Sequence, residues 1–209
     1  MPALERVEDA ASQAVLTFDD GPDEDATAAL LDALDLAGAK ATFFLVGEQL
    51  LRNHAIAREA AARGHELALH GFTHRSHDEL SRVGGAASRD EIARGIGAFE
   101  AATGSSPRFY RPPYGRFNEW SYRASHDLGL QPVYWSAWGS DWEDVAPERI
   151  AELVSRDLVP GAIVLLHDSA RYANRPTAMA TVEAIPLIAE QAAQEGLELV
   201  SLGRAVPSA

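Results

Sequence analysis

Two adjacent carboxylates, Asp19 and Asp20, two imidazoles four residues apart, His70 and His74, and the pair His167-Asp168 each stand directly behind a short apolar run. Those runs are Val15-Leu16-Thr17-Phe18, Leu67-Ala68-Leu69 and Ile163-Val164-Leu165-Leu166. One carboxylate and two imidazoles fill three positions around a divalent cation and leave room for water, which is the open arrangement that hydrolysis needs. The sequence holds no Cys, so thiol nucleophiles, thiolate ligands and disulfides are excluded, and His, Asp and Glu are the only strong ligands left. On a helical turn His70 and His74 would share a face, with Cβ atoms roughly 6 Å apart. Neighbours on a strand point to opposite faces, so at a strand end one of Asp19 and Asp20 can hold the cation while the other faces a substrate. Each fragment has an ordinary alternative: Asp19 to Pro22 is also a plain turn, a His-x-x-x-His pair is often a surface coincidence, and a lone His behind an apolar strand is often a satisfied core residue. Their common position favours the metal. Beside a cation and a second carboxylate, the near-neutral pKa of His167 suits a general acid or base.

Two further stretches have the residue types for a site. In Arg111-Pro112-Pro113-Tyr114-Gly115 the prolines hold the backbone extended, so Arg111 and the N–H of Tyr114 would be aimed rather than mobile; alone, the stretch reads equally as a stiff turn. Trp135, Trp138 and Trp142 crowd one loop with Asp141, a common wall for sugar rings, although core packing accounts for one or two of them as well. His77 reads as a loop residue outside this set, and His54, His65 and His126 read as structural or solvated.

Stepping from these residues to what must hold them, short β-branched or aromatic runs alternate with longer stretches of helical period, the pattern of repeated βα units around a parallel sheet. Seven strands are expected, at 14–18, 41–46, 66–69, 108–110, 132–136, 162–166 and 198–201. Helices are expected at 26–36, 54–63, 88–102, 119–127, 147–157 and 177–195. Gly38, Gly64, Gly104, Gly129 and Gly196 each follow a helix, where a left-handed residue ends it cheaply, and Pro147 begins one. Ser81 to Ala87 has the least pattern and reads as a loop over a rim. In such folds the loops behind the C-terminal strand ends converge on one face, where the polar clusters would meet.

Composition sets the outer bounds. With 209 residues, 46% hydrophobic and 23% charged, the chain suits a single soluble domain, taken as 1–209 with a core of about 14–203. No apolar run approaches the roughly 18 residues of a membrane span. A net charge of −13 and eighteen scattered Lys and Arg residues argue against nucleic acid and for small molecules or neutral polymers. Met1 to Ala14 carries Glu5, Glu8 and Asp9 where a signal peptide needs a basic start and an apolar middle. As written the chain is expected to be cytoplasmic, or secreted if an export signal has been trimmed away.

Assembled in order, the motifs closely resemble the polysaccharide deacetylase family, the NodB-homology or carbohydrate esterase 4 group. The likeness runs over about Ala14 to Gly203. Thr17-Phe18-Asp19-Asp20-Gly21-Pro22, His70-Gly71-Phe72-Thr73-His74, Arg111-Pro112-Pro113-Tyr114-Gly115, Asp141-Trp142 and Leu165-Leu166-His167-Asp168 correspond to its five motifs, and Ala41-Thr42-Phe43-Phe44 is a further family stretch. Two positions depart from the pattern: Trp138 stands where the family usually has an Asp, and Leu69 where it often has an Asn.

The resemblance implies a distorted, incomplete (β/α)7-type TIM-like barrel and a metal-dependent hydrolase that removes acetyl groups from N- or O-acetylated sugars. It implies one divalent ion, usually zinc and in some members cobalt or nickel, on Asp20, His70 and His74. Asp19 would be the general base, His167 the general acid, Arg111 the partner orienting Asp19, and Asp141 the residue tuning His167. The Tyr114 N–H would help hold the oxyanion. Trp142, Leu165, Pro113 and Trp138 would contact the acetylated sugar. A hydrolase of small amides on the same fold, or a non-catalytic sugar-binding relative, are the alternatives. The oligomeric state is left open.

Overall fold

The computed structural model describes residues 2–206; Met1 and residues 207–209, the ends of the expected 1–209 domain, lie outside the described residues. Eight short strands run parallel: β1 (Gln13–Asp19), β2 (Ala41–Leu45), β3 (Glu66–Leu69), β4 (Phe109–Tyr110), β5 (Gln131–Pro132), β6 (Ala137–Trp138), β7 (Ile163–His167) and β8 (Glu198–Val200). Their order is β5-β4-β3-β2-β1-β7-β6, and β8 pairs with the lower half of β1. The architecture is a distorted (β/α)7 barrel.

Alternation along β1 shows how sequence divides the interior. Leu16 and Phe18 face outward into the main core with Leu30, Leu31, Leu34, Ile185 and Ile188. Val15 faces inward with Phe44, Ala68, Phe109, Ile163 and Val200. Thr17 and Asp19 continue that inward face, so the polar end of the strand arrives inside the barrel mouth.

The helices are α1 (Ala26–Leu36), α2 (Gly47–Arg52), α3 (His54–Ala62), α4 (His77–Ser81), α5 (Gly85–Thr103), α6 (Glu119–Asp127), α7 (Pro147–Ser155), α8 (Met179–Gln194) and α9 (Leu202–Ala205). Their ends follow local chemistry. Asn118 and Ser121 form a reciprocal capping box at α6, and Pro147 opens α7, where its missing N–H has no partner to lose. All five glycines expected to close helices have positive φ. No helix among the described residues is long and apolar enough to cross a membrane.

Three expectations are corrected. The stretch 132–136 is not one strand: Pro132 ends β5, β6 begins only at Ala137, the two lie on opposite edges of the sheet, and the chain between them crosses the opening of the barrel. Ser81 to Ala87 is largely helical, because Ser81 closes α4 and Gly85 opens α5. His77 is the first residue of α4, fully buried, with Nε2 against the Tyr110 hydroxyl at 2.5 Å. Leu80, four residues on from Ser76 and buried, anchors a helix too short to show a period.

The opening is bridged from the N-terminal side. Leu4 N–H donates to Pro132 O, Tyr134 N–H donates to Leu4 O, and Val7 N–H donates to Gly161 O. Leu4 and Val7 add their side chains to the inner core.

Candidate active site

Strand register sets the site. Asp19 ends β1 level with His167 at the end of β7, and Leu69 of β3 lies level with Tyr110 of β4, so His70 and Arg111 leave the sheet side by side. Asp20 and His74 both have φ in the left-handed region, 86° and 54°, as does Tyr114 at 61°. A non-glycine residue holds such a backbone only where its surroundings impose it, and these three all border the same cleft.

Asp19 and Asp20 do not point to opposite faces: the positive φ of Asp20 turns the chain so that both carboxylates enter one cleft. His70 and His74 lie on an irregular loop behind β3 rather than on a helical turn. The loop still brings the rings to 5.2 Å between centroids.

His74 Nε2 is 3.0 Å and His70 Nε2 3.5 Å from Asp20 Oδ1. The ligand atoms of Asp20, His70 and His74 all lie within 4.8 Å of one another, and all three residues are buried. His70 Nδ1 is 2.8 Å from the carbonyl oxygen of Arg111. A carbonyl only accepts, so Nδ1 carries the proton and Nε2 presents a lone pair to Asp20. Asp20 Oδ1 accepts no hydrogen bond from any described residue. A buried anionic oxygen facing an imidazole lone pair is unfavourable unless a cation lies between them. The donor set therefore fits a divalent metal with nitrogen and oxygen preference.

Beside it stands Asp19, 3.8 Å through Oδ2 from His70 Nε2. Its other oxygen is taken: Arg111 Nη1 donates to Asp19 Oδ1 at 2.7 Å and to Thr17 Oγ1 at 2.8 Å, while Nη2 donates to Tyr134 O at 2.8 Å. Arg111 is 0% exposed and its guanidinium lies 4.1 Å from the Phe44 ring centre. Burial lowers the Arg111 pKa, which the Asp19 carboxylate opposes. The prolines expected to aim Arg111 do so by leading its chain away into a tight turn at Pro113–Gly115.

His167 faces the ligand cluster from β7. Asp141 holds it twice, through Oδ1 to ring Nδ1 and through Oδ2 to the backbone N–H, both at 2.8 Å. Thr181 donates to Asp141 Oδ2 at 2.7 Å, Arg175 donates to Thr181 Oγ1 at 2.6 Å, and Arg175 Nη1 is 3.6 Å from Asp141 Oδ2. Burial pushes the His167 pKa down, but the Asp141 carboxylate overcomes it and the value rises to about 9. With Nδ1–H committed to Asp141, Nε2 is the position left for proton exchange. A cation on Asp20 would offset part of that rise, because the Asp20 and Asp19 charges contribute to it.

The cleft has a volume of about 830 Å³, within the range of small-molecule sites. Trp135, Trp142, Leu165, Tyr114 and Tyr172 line it. Pro113, buried, and Trp138, 43% exposed on β6 in register with Leu165, are not among its lining residues. Several contributors escaped the sequence reading. Tyr172 stacks on His74 at 4.0 Å and 9°, with Tyr114 against the same ring at 4.7 Å. Asp168 Oδ1 accepts from Gly21 N–H at 2.8 Å and Oδ2 from Thr27 Oγ1 at 2.6 Å. Burial raises the Asp168 pKa to about 7. A Cβ on Gly21 would fall 2.0 Å from Asp168 Oδ2, so only glycine follows Asp20 here. Its place behind His167 was the one signal for Asp168; nothing local marks Tyr172, Arg175 or Thr181.

The sequence model described as polysaccharide deacetylase matches residues 6–133. A chitooligosaccharide deacetylase of Bradyrhizobium sp. (strain ANU 289) is 38% identical over 154 residues, 73% of this chain and 69% of that protein. A peptidoglycan-N-acetylglucosamine deacetylase of Bacillus cereus is 33% identical over 76% of this chain; the chain spans 56% of that longer protein. Among solved structures, a family 4 carbohydrate esterase from Streptomyces lividans in complex with acetate superposes with a TM-score of 0.80 at 34% identity, covering 90% of this chain and 91% of that one.

Proposed function

The chain belongs to the polysaccharide deacetylase family and is a hydrolase of acetylated sugars; from that premise we propose that it cleaves N-acetyl groups from N-acetylglucosamine-containing oligomers, with one divalent cation, zinc before cobalt or nickel, held by Asp20, His70 and His74. The convergence of those three ligand atoms within 4.8 Å, between Asp19 and His167, carries the proposal. Both relatives compared by sequence are named for deacetylation of amino sugars or their oligomers, which favours the amide over the ester.

A cation bound there supplies Lewis acidity, polarising the acetyl carbonyl and acidifying water at the site toward a pKa of about 7. Asp19 is the general base. Arg111 holds its Oδ1, so Oδ2 takes the proton as the water oxygen bonds to the carbonyl carbon. The Tyr114 N–H, at a backbone fixed by the two prolines before it, donates to the oxyanion that forms. His167 Nε2 gives its proton to the departing nitrogen as the C–N bond breaks, leaving acetate and a free amine, and Asp141 stabilises the imidazolium until then. Trp142 and Leu165 close around the acetyl methyl, and Trp135 and Tyr172 offer faces to the sugar. Trp138 extends that wall only if a long substrate reaches past Leu165.

Replacing Asp19 tests the base. Asp19→Asn is expected to keep near-normal zinc content by elemental analysis while acetate release from N-acetylglucosamine oligomers nearly vanishes. A variant that retains most of the rate would remove Asp19 from that role. Parallel assays on acetylated xylan and on small amides, with and without chelator, separate substrate classes.

A further inference from the structure

The second imidazole ligand is not held by the strand that delivers the first. His70 directly follows β3, whereas His74 lies four residues out on a loop and in the left-handed region. Something other than the sheet must fix its position: the first N–H groups of α2 donate to Gly71 O and Phe72 O at 2.9 Å, and the remaining contacts of the loop lead to α5. Glu91, buried on α5 and outside the cleft, accepts with one oxygen, Oε1, from three donors of the loop: Phe72 N–H at 3.1 Å, Thr73 N–H at 2.5 Å and Thr73 Oγ1 at 2.7 Å. One turn along the same helix, the Arg94 guanidinium covers the Phe72 ring at 4.0 Å. At Gly95 a Cβ would fall 3.1 Å from the Gly71 backbone, so the helix packs directly against the loop. The two amides caught by Glu91 belong to the residues immediately before His74.

We propose that Glu91 is a positioning residue that sets where His74 meets the cation, by gripping the Phe72 and Thr73 backbone from outside the cleft. The inference rests on the metal reading above and adds its determinant. Charge-assisted bonds from backbone amides to a carboxylate are short and strong, and a strained ligand backbone relaxes away from its coordinating position when such bonds are lost. Tyr172 stacks on the His74 ring and Tyr114 meets it edge-on, contacts with the ring rather than with the loop backbone behind it. Losing an outer partner of a metal ligand weakens affinity on the order of 10- to 100-fold.

The test is calorimetric titration of metal-free protein with Zn²⁺, with the visible spectrum of the Co²⁺-loaded form as a second readout. Glu91→Ala is expected to weaken Zn²⁺ binding by about 10- to 100-fold and to alter the Co²⁺ band. Glu91→Gln keeps an acceptor oxygen, and Thr73→Val removes one of the three bonds; both should give smaller losses in the same direction. A Glu91→Ala protein that is less stable yet binds Zn²⁺ as wild type does, with the same Co²⁺ spectrum, overturns the proposal and leaves the metal site intact. If Glu91→Ala fails to fold, unchanged binding and spectra for both milder variants overturn it instead. Wild-type protein that takes up neither cation overturns the metal reading itself, a result distinct from either.

Discussion

At the scale of single residues, His167 and Asp141 make the site dependent on pH in a calculable direction. His167 works as an acid only while protonated, so turnover should fall as pH rises through its pKa, which Asp141 lifts from 6.5 to about 9 in the metal-free protein. Asp141→Asn should move the alkaline limb of the kcat/KM profile downward by a unit or more; a limb that stays in place means another group titrates there. The same pair has a stability signature. The raised His167 stabilises the fold in full below its ordinary 6.5 and ceases to do so as pH climbs toward about 9. The lowered Asp141, despite burial, stabilises above its ordinary 3.8 and loses that effect under more acid conditions. His167 was legible in the sequence because it stands directly behind an apolar run, and Asp141 through the family resemblance. Glu91 was not: a glutamate in the middle of a helix looks like any solvated one until the loop it faces is known.

At the scale of elements, the closing of the barrel depends on a few backbone bonds at its N-terminal end. Gly161 has φ 78°, its carbonyl accepts from Val7 and its N–H donates to Gln13 O. A Cβ there would fall 2.1 Å from Val7 O. Gly161→Ala should therefore lower stability by about 2 kcal/mol or more, from left-handed strain and displacement of the Leu4 to Val7 segment. Urea unfolding measures this. Zinc affinity should not change, because Asp20, His70 and His74 follow the C-terminal ends of β1 and β3, whereas Gly161 lies before the start of β7. The long amphipathic helices could be read from their periods, and the buried strands β1, β2 and β7 from their short apolar runs. The stretch 132–136 could not, since Val133, Trp135 and Ala137 alternate as a strand would, while hydrogen bonding assigns its two ends to different edges. Short helices such as α4 escaped for the same reason, because a single turn is too brief to display a period.

At the scale of the whole molecule, a cation on Asp20, directly behind β1, and on His70 and His74, on the loop behind β3, would be tied to the fold. Binding to the folded state alone at a hundredfold excess over Kd stabilises by about 2.7 kcal/mol. For a chain of this size that corresponds to a rise in Tm of roughly 5–10 °C. Chelation should lower Tm by such an amount and abolish acetate release, and zinc should restore both. A chelated protein with an unchanged Tm would place the ion outside the folding equilibrium. The passage between β5 and β6 acts at this scale as well. Tyr134 there lends its carbonyl to Arg111, Trp135 beside it lines the cleft, and neither belongs to a named strand. Reach and recognition thus share two residues, Tyr134 and Trp135, suspended between Val133, bonded to β4, and Ser136, bonded to β7. Variation in that short span can reshape what the enzyme accepts while the hydrogen-bonded frame stays as it is, which makes the gap in the wall the natural place to retarget the protein.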